Sequence, residues 1–375
     1  MTRDFMTQDN PKKLGQLKKI GVLRALQLGD LMCMVPAMRA LRAAYPEARI
    51  VLFGLPGAKE FVTRFSRYFD GLLEFPGYPG LPEQPVDPVK VAEFLRQVQN
   101  EKFDLVLQLQ GNGTIINPLM GLLGAKQVAG FFSEKDGYCP DPRTFLLYPE
   151  GEHESIKFLK LMDFLGVARQ GEYLEFPVKD EEREKFGRLR KKFALTPGRF
   201  ICLNPGARDP RRQWIPRNFA VVGEAFAKRG FGVVLTGSSQ DRPVCEAVAK
   251  QMIHPCIDLA GLTGLGELAA LLESSALLIT NDTGISHIAV ALKVKSIVIF
   301  SAFSDPVRWA PLDQGVHISL SPKEAEDPDM VVKAASVLME KSVAVPKLIK
   351  TERFTTPIDL SASDLNNQAA RVGES

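Results

Sequence analysis

Short apolar runs alternate with helical patterns along most of this chain, and the alternation starts twice. The first series predicts strands at 20–24, 49–53, 72–75, 103–109 and 127–131. Helical patterns at 31–44, 58–69, 89–100, 115–123 and 154–165 lie between or after these strands. The second series predicts strands at 200–204, 232–236, 276–280 and 296–300, and helices at 216–228, 242–252, 265–273 and 286–292. Because strands that alternate with helices form parallel sheets covered by those helices, the sequence predicts an α/β fold.

A charged helical segment at 180–193 separates the two series, and the polar sequence Thr196-Pro197-Gly198 ends it. At 375 residues the chain is long enough for two domains with sizeable cores. A helical stretch at 329–341 precedes a polar end without periodicity. We therefore expect an N-terminal extension at 1–18, a first domain at 19–180, a charged helix and linker at 181–198, a second domain at 199–345 and a C-terminal tail at 346–375.

Composition limits the classes of function. The net charge of +3 is too small to indicate a nucleic-acid partner. Five scattered cysteines without a CxxC pair make a disulfide framework or a zinc site unexpected and favour a reducing, cytoplasmic location. The first residues lack the apolar core of a signal peptide, and no run approaches the roughly 18 apolar residues of a membrane span. Peripheral attachment to a membrane is left open.

The sequence 280–289 (TNDTGISHIA) is the most informative site pattern. It follows an apolar strand and opens a helix, so free backbone N–H groups and the positive end of a helix dipole meet at one point. Such a point suits a phosphate. Asp282, Thr283 and Gly284 are residue types that a tight turn needs, and Ser286 and His287 are polar residues at the start of the helix. A simple helix cap with a buried histidine is the alternative interpretation.

A second strand-to-helix turn carries Leu28-Gly29-Asp30. Open α/β sheets bind ligands at the carboxyl ends of their strands, where this turn lies. Asp30 is therefore either a helix cap or a general base that takes a proton from an acceptor hydroxyl. Pro36 in the following helix is expected to kink or weaken it.

Two further strand ends carry glycine turns. Gly206 is followed by the arginines Arg208, Arg211 and Arg212, which suits a phosphate or carboxylate partner unless the run is simply solvated. Thr236, Gly237 and Ser238 end the next strand and would lie near a nucleotide, although an ordinary strand–helix loop is the alternative.

Several common signatures do not occur. Neither domain has the G-x-G-x-x-G fingerprint after its first strand, and there is no Walker A lysine motif or G-x-S-x-G elbow. His153, His254 and His317 have no metal-ligand spacing, and the D-x-D sequence at 327–329 belongs to a loop. No metal and no cofactor are expected.

Together these sequences resemble glycosyltransferase family 9, whose best-known members are the ADP-heptose:lipopolysaccharide heptosyltransferases. The resemblance covers about 19–315 and rests on residues 22–24, 28–31, 36–42, 204–207, 212–214, 235–237, 259–263 and 281–289. It implies a GT-B fold, in which two Rossmann-like domains face each other across a cleft. The nucleotide-sugar donor would bind the second domain and a glycan or glycolipid acceptor the first.

The resemblance also implies roles for individual residues. Asp30, with Gly29 beside it on the acceptor side, would be the catalytic base, and the D-T-G turn would hold the donor diphosphate. Arg212 stands where the family usually has lysine, and it would neutralise the phosphates. Gly206, Arg208, Thr236, Gly237, Ser238 and His287 complete the expected donor site.

These expectations describe an inverting, metal-independent transferase, a monomer in the cytoplasm, with peripheral contact at the inner membrane left open. Charge that develops on the leaving diphosphate would be stabilised by arginine and a helix N-terminus. Two other functions remain open on the same architecture: a nucleotide-sugar epimerase or hydrolase, and a catalytically silent nucleotide-sugar-binding protein.

Overall fold

Two parallel six-stranded sheets form the framework of the molecule. The computed structural model describes residues 14–135 and 138–340. The strand orders are β3-β2-β1-β4-β5-β6 and β9-β8-β7-β10-β11-β12, so the two sheets share one topology. Every paired strand is parallel. This is the doubly wound order of a Rossmann fold, and it confirms the predicted α/β class with two Rossmann-like domains.

The N-terminal domain contains the first sheet. Its strands are β1 (Lys19–Leu23), β2 (Arg49–Gly54), β3 (Gly71–Glu74), β4 (Leu105–Gln108), β5 (Gln127–Phe132) and β6 (Phe145–Leu147). Its helices are α1 (Leu28–Ala44), α2 (Ala58–Arg64), α3 (Pro88–Glu101), α4 (Asn117–Met120) and α5 (Glu154–Phe164). Three sequence expectations need correction here: β6 was not expected, α4 is one turn rather than 115–123, and α2 ends five residues before 69.

The C-terminal domain contains the second sheet. Its strands are β7 (Phe200–Asn204), β8 (Gly232–Leu235), β9 (Ile257–Asp258), β10 (Leu277–Asn281), β11 (Ser296–Ile299) and β12 (His317–Leu320). Its helices are α7 (Pro216–Ala227), α8 (Arg242–Ala249), α9 (Leu265–Ser274), α10 (Gly284–Ala291), α11 (Pro306–Trp309) and α12 (Pro328–Glu340). The sequence patterns did not predict β9, β12 or α11, and α8 ends before the expected limit at 252.

Helix α1 continues through Pro36 from Leu28 to Ala44, so the proline does not end the helix. Its residues from Leu31 to Leu41 are buried. Packing against α5 on one side and α10 of the other domain on another holds the helix together where the proline removes a backbone hydrogen bond.

The charged segment forms helix α6 (Asp180–Lys192), which is bound to both domains. On one side, Glu182 receives two hydrogen bonds from Arg64 of α2, at 2.7 and 2.8 Å. On the other, Arg183 pairs with Glu273 of α9. Helix α6 is therefore docked between the domains rather than free.

The two domains share an apolar core where α1 meets α10. One cluster of buried apolar residues includes Leu31 and Met34 of α1 together with Ile285 and Ile288 of α10. No helix in the described ranges has the length and apolarity needed to cross a membrane. The expected extension at 1–18 is described only from residue 14, and the expected tail at 346–375 lies outside the described residues.

Candidate active site

A cleft of about 730 Å³ lies where the carboxyl ends of β1, β7, β8 and β10 meet. Its walls come from both domains: Gly29 and Asp30 line it from the N-terminal side. The expected donor residues that line it are Gly206, Arg208, Arg212, Gly237, Ser238, Asp282, Thr283, Gly284 and His287. In the second sheet β7 and β10 are neighbours, and the strand order runs in opposite directions from this pair. This is the switch point at which open α/β sheets bind ligands.

The D-T-G turn is fixed by Asn281, at the last position of β10. Its side-chain amide donates to the carbonyls of Pro205 (2.8 Å) and Gly206 (3.3 Å). Its side-chain oxygen accepts a hydrogen bond from the backbone N–H of Trp214 at 2.9 Å. One buried asparagine thus ties the turn to the glycine–arginine loop after β7. Its position in a polar turn at a strand end is the sequence signal for this role.

Helix α10 begins at Gly284, and Thr283 precedes it in an extended conformation. The first N–H groups of any helix lack intrahelical partners. The Thr283 hydroxyl is buried and has no hydrogen-bond partner among the described residues. The turn therefore offers a hydroxyl and backbone N–H groups at the positive end of a helix dipole.

Arg212 pairs with Asp282 at the same turn. Its Nε also donates to the Ser304 hydroxyl at 3.1 Å. Burial raises the pKa of the Asp282 carboxyl, and Arg212 opposes that rise. Arg212 keeps about a third of its side chain exposed, so the guanidinium holds a buried carboxylate and still faces the cleft.

The other two arginines of the loop differ from Arg212. Arg211 is bound to Asp209, with Nε–Oδ1 at 3.0 Å and Nη2–Oδ2 at 2.6 Å, and it does not line the cleft. Arg208 is exposed and lines the cleft. The structure therefore directs two of the three arginines toward a ligand.

Asp241, the carboxylate at the end of the sequence 236–241, organises the turn after β8. It accepts hydrogen bonds from the Ser238 backbone N–H (2.8 Å) and hydroxyl (2.7 Å). A methyl group at Gly206 would lie 2.3 Å from its Cγ, and one at Gly237 would lie 2.7 Å from its Cβ. A side chain at either position would therefore displace Asp241 from the Ser238 turn.

The expectation that Thr236 contacts the donor is wrong, because this residue is fully buried and does not line the cleft. Its hydroxyl lies 3.3 Å from both the Leu203 carbonyl and the Asn204 side-chain oxygen. We therefore revise its role from donor contact to support of the turn above it.

Asp30 occupies the third position of α1, and both interpretations of this residue find a structural basis. Its carboxylate accepts a hydrogen bond from the Gln27 backbone N–H at 3.3 Å, which caps the helix. It also lines the cleft, with 24% of its side chain exposed and the Arg24 guanidinium 3.7 Å away. The capping interpretation is confirmed, and the assignment as a base remains a prediction.

His287 lies between the domains. Its Nδ1 is 3.9 Å from the Cys33 sulfur of α1, and its ring meets Trp309 edge-on at 6.1 Å. Burial lowers its pKa to about 4, so the ring is neutral at neutral pH. A neutral imidazole can donate one hydrogen bond but cannot neutralise a phosphate.

The described residues contain no cluster of three or more histidine, cysteine or acidic side chains that could hold a metal ion. The cationic groups at the cleft are arginines and a helix N-terminus. These groups can bind a diphosphate and stabilise charge on it.

Comparison with known proteins identifies the family of this chain. The family model described as glycosyltransferase family 9 (heptosyltransferase) matches residues 91–336. Lipopolysaccharide heptosyltransferase 2 of Escherichia coli K12 is 29% identical over 314 residues, covering 80% of this chain and 87% of the relative. Lipopolysaccharide heptosyltransferase 3 of the same strain is 24% identical over 310 residues, covering 77% and 83%.

Solved structures agree on the fold. A family 9 glycosyltransferase from Veillonella parvula superposes with a TM-score of 0.73 at 23% identity, covering 88% of this chain and 99% of that one. The E. coli ADP-heptose lps heptosyltransferase II gives a TM-score of 0.66 at 19% identity, covering 86% and 98%. The two Rossmann-like domains and the cleft between them thus form a GT-B fold, and the expected architecture is confirmed.

The chain belongs to glycosyltransferase family 9, and it is a glycosyltransferase. The matched range begins at residue 91, so the L-G-D turn lies outside the family model.

Proposed function

We propose that this protein is an inverting, metal-independent heptosyltransferase that moves heptose from ADP-heptose to a lipopolysaccharide-core acceptor. The proposal rests on one observation: a carboxylate and an anion-binding turn lie on opposite sides of the cleft. The partly exposed Asp30 carboxylate at the start of α1 lies opposite the turn at the start of α10 that is suited to a diphosphate. The names of the relatives supply the sugar, the nucleotide and the acceptor.

In this reaction Asp30 accepts the proton of the acceptor hydroxyl as its oxygen attacks the anomeric carbon. The bond from that carbon to the diphosphate oxygen breaks on the opposite face, and the configuration at the carbon inverts. Negative charge builds on the leaving diphosphate, where Arg212 and the N–H groups at the start of α10 stabilise it. Arginine in this position takes the role that a divalent cation has in other transferases.

The role of Asp30 can be tested with Asp30→Asn. Removing a general base typically costs about 10²–10⁴-fold in rate, so we expect kcat to fall by that factor while donor affinity stays unchanged. Asp87→Asn is the matched control, because Asp87 also caps a helix start through its side chain but lies on α3. Unchanged kcat in Asp30→Asn would remove the proposed base.

The donor can be identified with a thermal-shift series of ADP-, UDP-, GDP- and CMP-sugars. A ligand at 100 times its dissociation constant stabilises by about 2.7 kcal/mol, which is readily measured. We expect the ADP-sugar to give the largest shift. Turnover with EDTA present tests metal independence, and NMR of the product anomer tests inversion. Release of free sugar or an epimer without acceptor would instead indicate a hydrolase or epimerase.

We further propose that the enzyme works in the cytoplasm as a monomer, with peripheral contact at the inner membrane where its acceptor would lie. All five cysteines are free thiols, as is usual in a reducing compartment. One chain also supplies both walls of the cleft. Light scattering of the purified protein tests the oligomeric state, and co-sedimentation with anionic vesicles tests the membrane contact.

A further inference from the structure

A buried cluster of charges joins the two domains beside the cleft. Glu154, the first residue of α5 in the N-terminal domain, is almost completely buried. Arg308 of α11 in the C-terminal domain donates to both of its carboxylate oxygens, from Nε at 2.7 Å and from Nη2 at 2.9 Å. Lys157 lies 3.5 Å from the same carboxylate. One carboxylate of the first domain thus holds an arginine of the second in a forked pair.

Glu154 also contacts Arg24, which follows β1 and shares the Oε1 atom with Arg308. The Arg24 Nη2 donates to Glu154 at 3.0 Å, and its Nη1 donates to the Leu109 carbonyl at 2.5 Å. Its Nε donates to the backbone carbonyl of Asp30 at 2.8 Å, and Nη2 lies 3.7 Å from the Asp30 carboxylate. Arg24 is fully buried, and all three of its nitrogens are engaged. It therefore fixes the position of the residue proposed as the base.

Helix α11 brings two side chains to the domain boundary. Asp305 caps it by accepting from the N–H groups of Val307 (3.1 Å) and Arg308 (3.3 Å). Arg308 reaches Glu154, while Trp309 packs its ring against His287 in the cleft. The contact between Arg308 and Glu154 therefore reports whether α11 is docked on the N-terminal domain.

The charge state of Glu154 is well defined. Burial raises its pKa, but Arg24, Arg308 and Lys157 outweigh burial and hold the pKa at about 2. A buried ion cluster of this kind adds little to stability compared with apolar packing, but breaking it is costly. A cluster that spans two domains and ends at the catalytic turn is better explained by positioning.

We propose that Glu154 is a positioning residue that couples docking of α11 to the orientation of Asp30. When the domains are closed, Arg308 and Arg24 share its carboxylate, and Arg24 holds the Asp30 backbone and carboxylate toward the cleft. When α11 leaves, Arg24 loses the arrangement that keeps Asp30 in place. The inference rests on the proposed function in taking Asp30 as the base.

Kinetics of Glu154→Gln and Arg308→Gln test the coupling. We expect each to lower kcat by about 10-fold or more, while the KM for the donor changes by less than about 3-fold. Arg308→Lys keeps the positive charge and should recover part of the loss. The matched control is Glu175→Gln, because Glu175 is also a poorly exposed carboxylate bound by two arginines, Arg39 and Arg67, but lies within the N-terminal domain.

The pH profile separates positioning from a merely structural role. The charged or titratable groups near Asp30 are Arg24, Glu154, Arg308, His287 and Cys33. Burial lowers the pKa of His287 and raises that of Cys33, so both are neutral at neutral pH. Removing the Glu154 charge should move the acidic limb of kcat/KM to lower pH, and removing the Arg308 charge should move it to higher pH, each by about half a unit or more. Glu175→Gln should leave the limb in place.

A fluorescence measurement tests docking without any turnover. The chain has two tryptophans, so Trp214→Phe leaves Trp309 as the single reporter beside Arg308. In that background Glu154→Gln should shift the emission to longer wavelength, and Glu175→Gln should not. An unchanged emission together with unchanged kcat, or a loss of melting temperature alone, would overturn the proposal. If the wild-type protein transfers no sugar, the proposed function fails, whereas the emission shift still decides whether Glu154 docks α11.

Discussion

Gly29→Ala is the most direct test of how closely the two domains must approach. Gly29 lies in the first turn of α1, where the chain faces α10 of the other domain. A methyl group at this position would lie 2.9 Å from the Cδ2 of His287, and 3.4 Å from both its Nε2 and the Gly284 Cα. Carbon atoms in contact lie about 3.5–4.0 Å apart, so the two surfaces would have to separate by about 0.6 Å or more.

The His287 ring cannot easily turn away from this methyl group. It is held between Cys33 and Trp309, and only 5% of the residue is exposed. Overpacking at such a site costs about 1–3 kcal/mol. If that cost falls on the closed state in which transfer occurs, kcat/KM should fall by about 5- to 150-fold. The change itself favours the helix, because alanine is a better helix former than glycine.

Steady-state transfer and thermal unfolding of the variant measure this effect. Gly57→Ala is the matched control, because Gly57 also lies at a helix start, has an ordinary αR conformation, and has no atom within 4 Å of the added methyl position. His287→Ala combined with Gly29→Ala should remove the clash, so the two substitutions should be non-additive in stability. A kcat/KM for Gly29→Ala within about twofold of wild type would refute the requirement for close approach.

Three further predictions concern the donor side and the protonation of buried groups. Gly206→Ala places a methyl group 2.3 Å from the Asp241 Cγ, so the thermal shift produced by the nucleotide sugar should be lost. The control is Gly187→Ala, whose methyl group meets no atom within 4 Å and which should retain the shift. Arg212→Gln leaves Asp282 buried without its cation, so the free energy of unfolding should fall by about 1–3 kcal/mol and donor binding should weaken. Arg212→Lys keeps the charge, so it should lose less stability and less donor affinity. Burial lowers the pKa of His317 from 6.5 to about 4. Between pH 6.5 and about pH 4 the imidazole is therefore protonated in the unfolded chain but neutral in the folded protein. This contribution to stability is complete above pH 6.5 and falls by about 1.4 kcal/mol per pH unit below it until about pH 4, so His317→Gln should flatten the decline in urea titrations, and an unchanged slope would contradict the assignment.

The central strands of both sheets could be predicted from sequence because they are buried on both faces. β1, β7 and β10 are buried at every position except Lys19, and most of their residues are apolar, so each contains a short continuous apolar run. The missed strands β6, β9 and β12 lie at or next to sheet edges and have only two to four residues. Runs that short carry too little periodicity to be recognised.

Some residues of the candidate site could likewise be predicted from the sequence, and others could not. Loops such as those at Gly206 and Asp282 could be predicted because the carboxyl ends of parallel strands meet at one edge of a sheet. The pair formed by Glu154 and Arg308 could not, because the two residues are 154 positions apart and meet only when the domains pack. Thr236 was placed in the site by its position at a strand end, but its side chain points into the core.

The contact between the starts of α1 and α10 explains why each domain carries a carboxylate there. A methyl group on Gly284 would lie 3.5 Å from the Gly29 backbone nitrogen, so the positive ends of the two helices meet at the cleft. Two such ends repel each other unless negative charge lies near them. Asp30 supplies it for α1, and Asp282, two residues before the first residue of α10, supplies it for the other. Arg212 binds Asp282, so that carboxylate is already paired with a cation. Under the proposed function the N–H groups at the start of α10 would bind the donor diphosphate, and that binding would favour the closed state in which Asp30 faces the sugar.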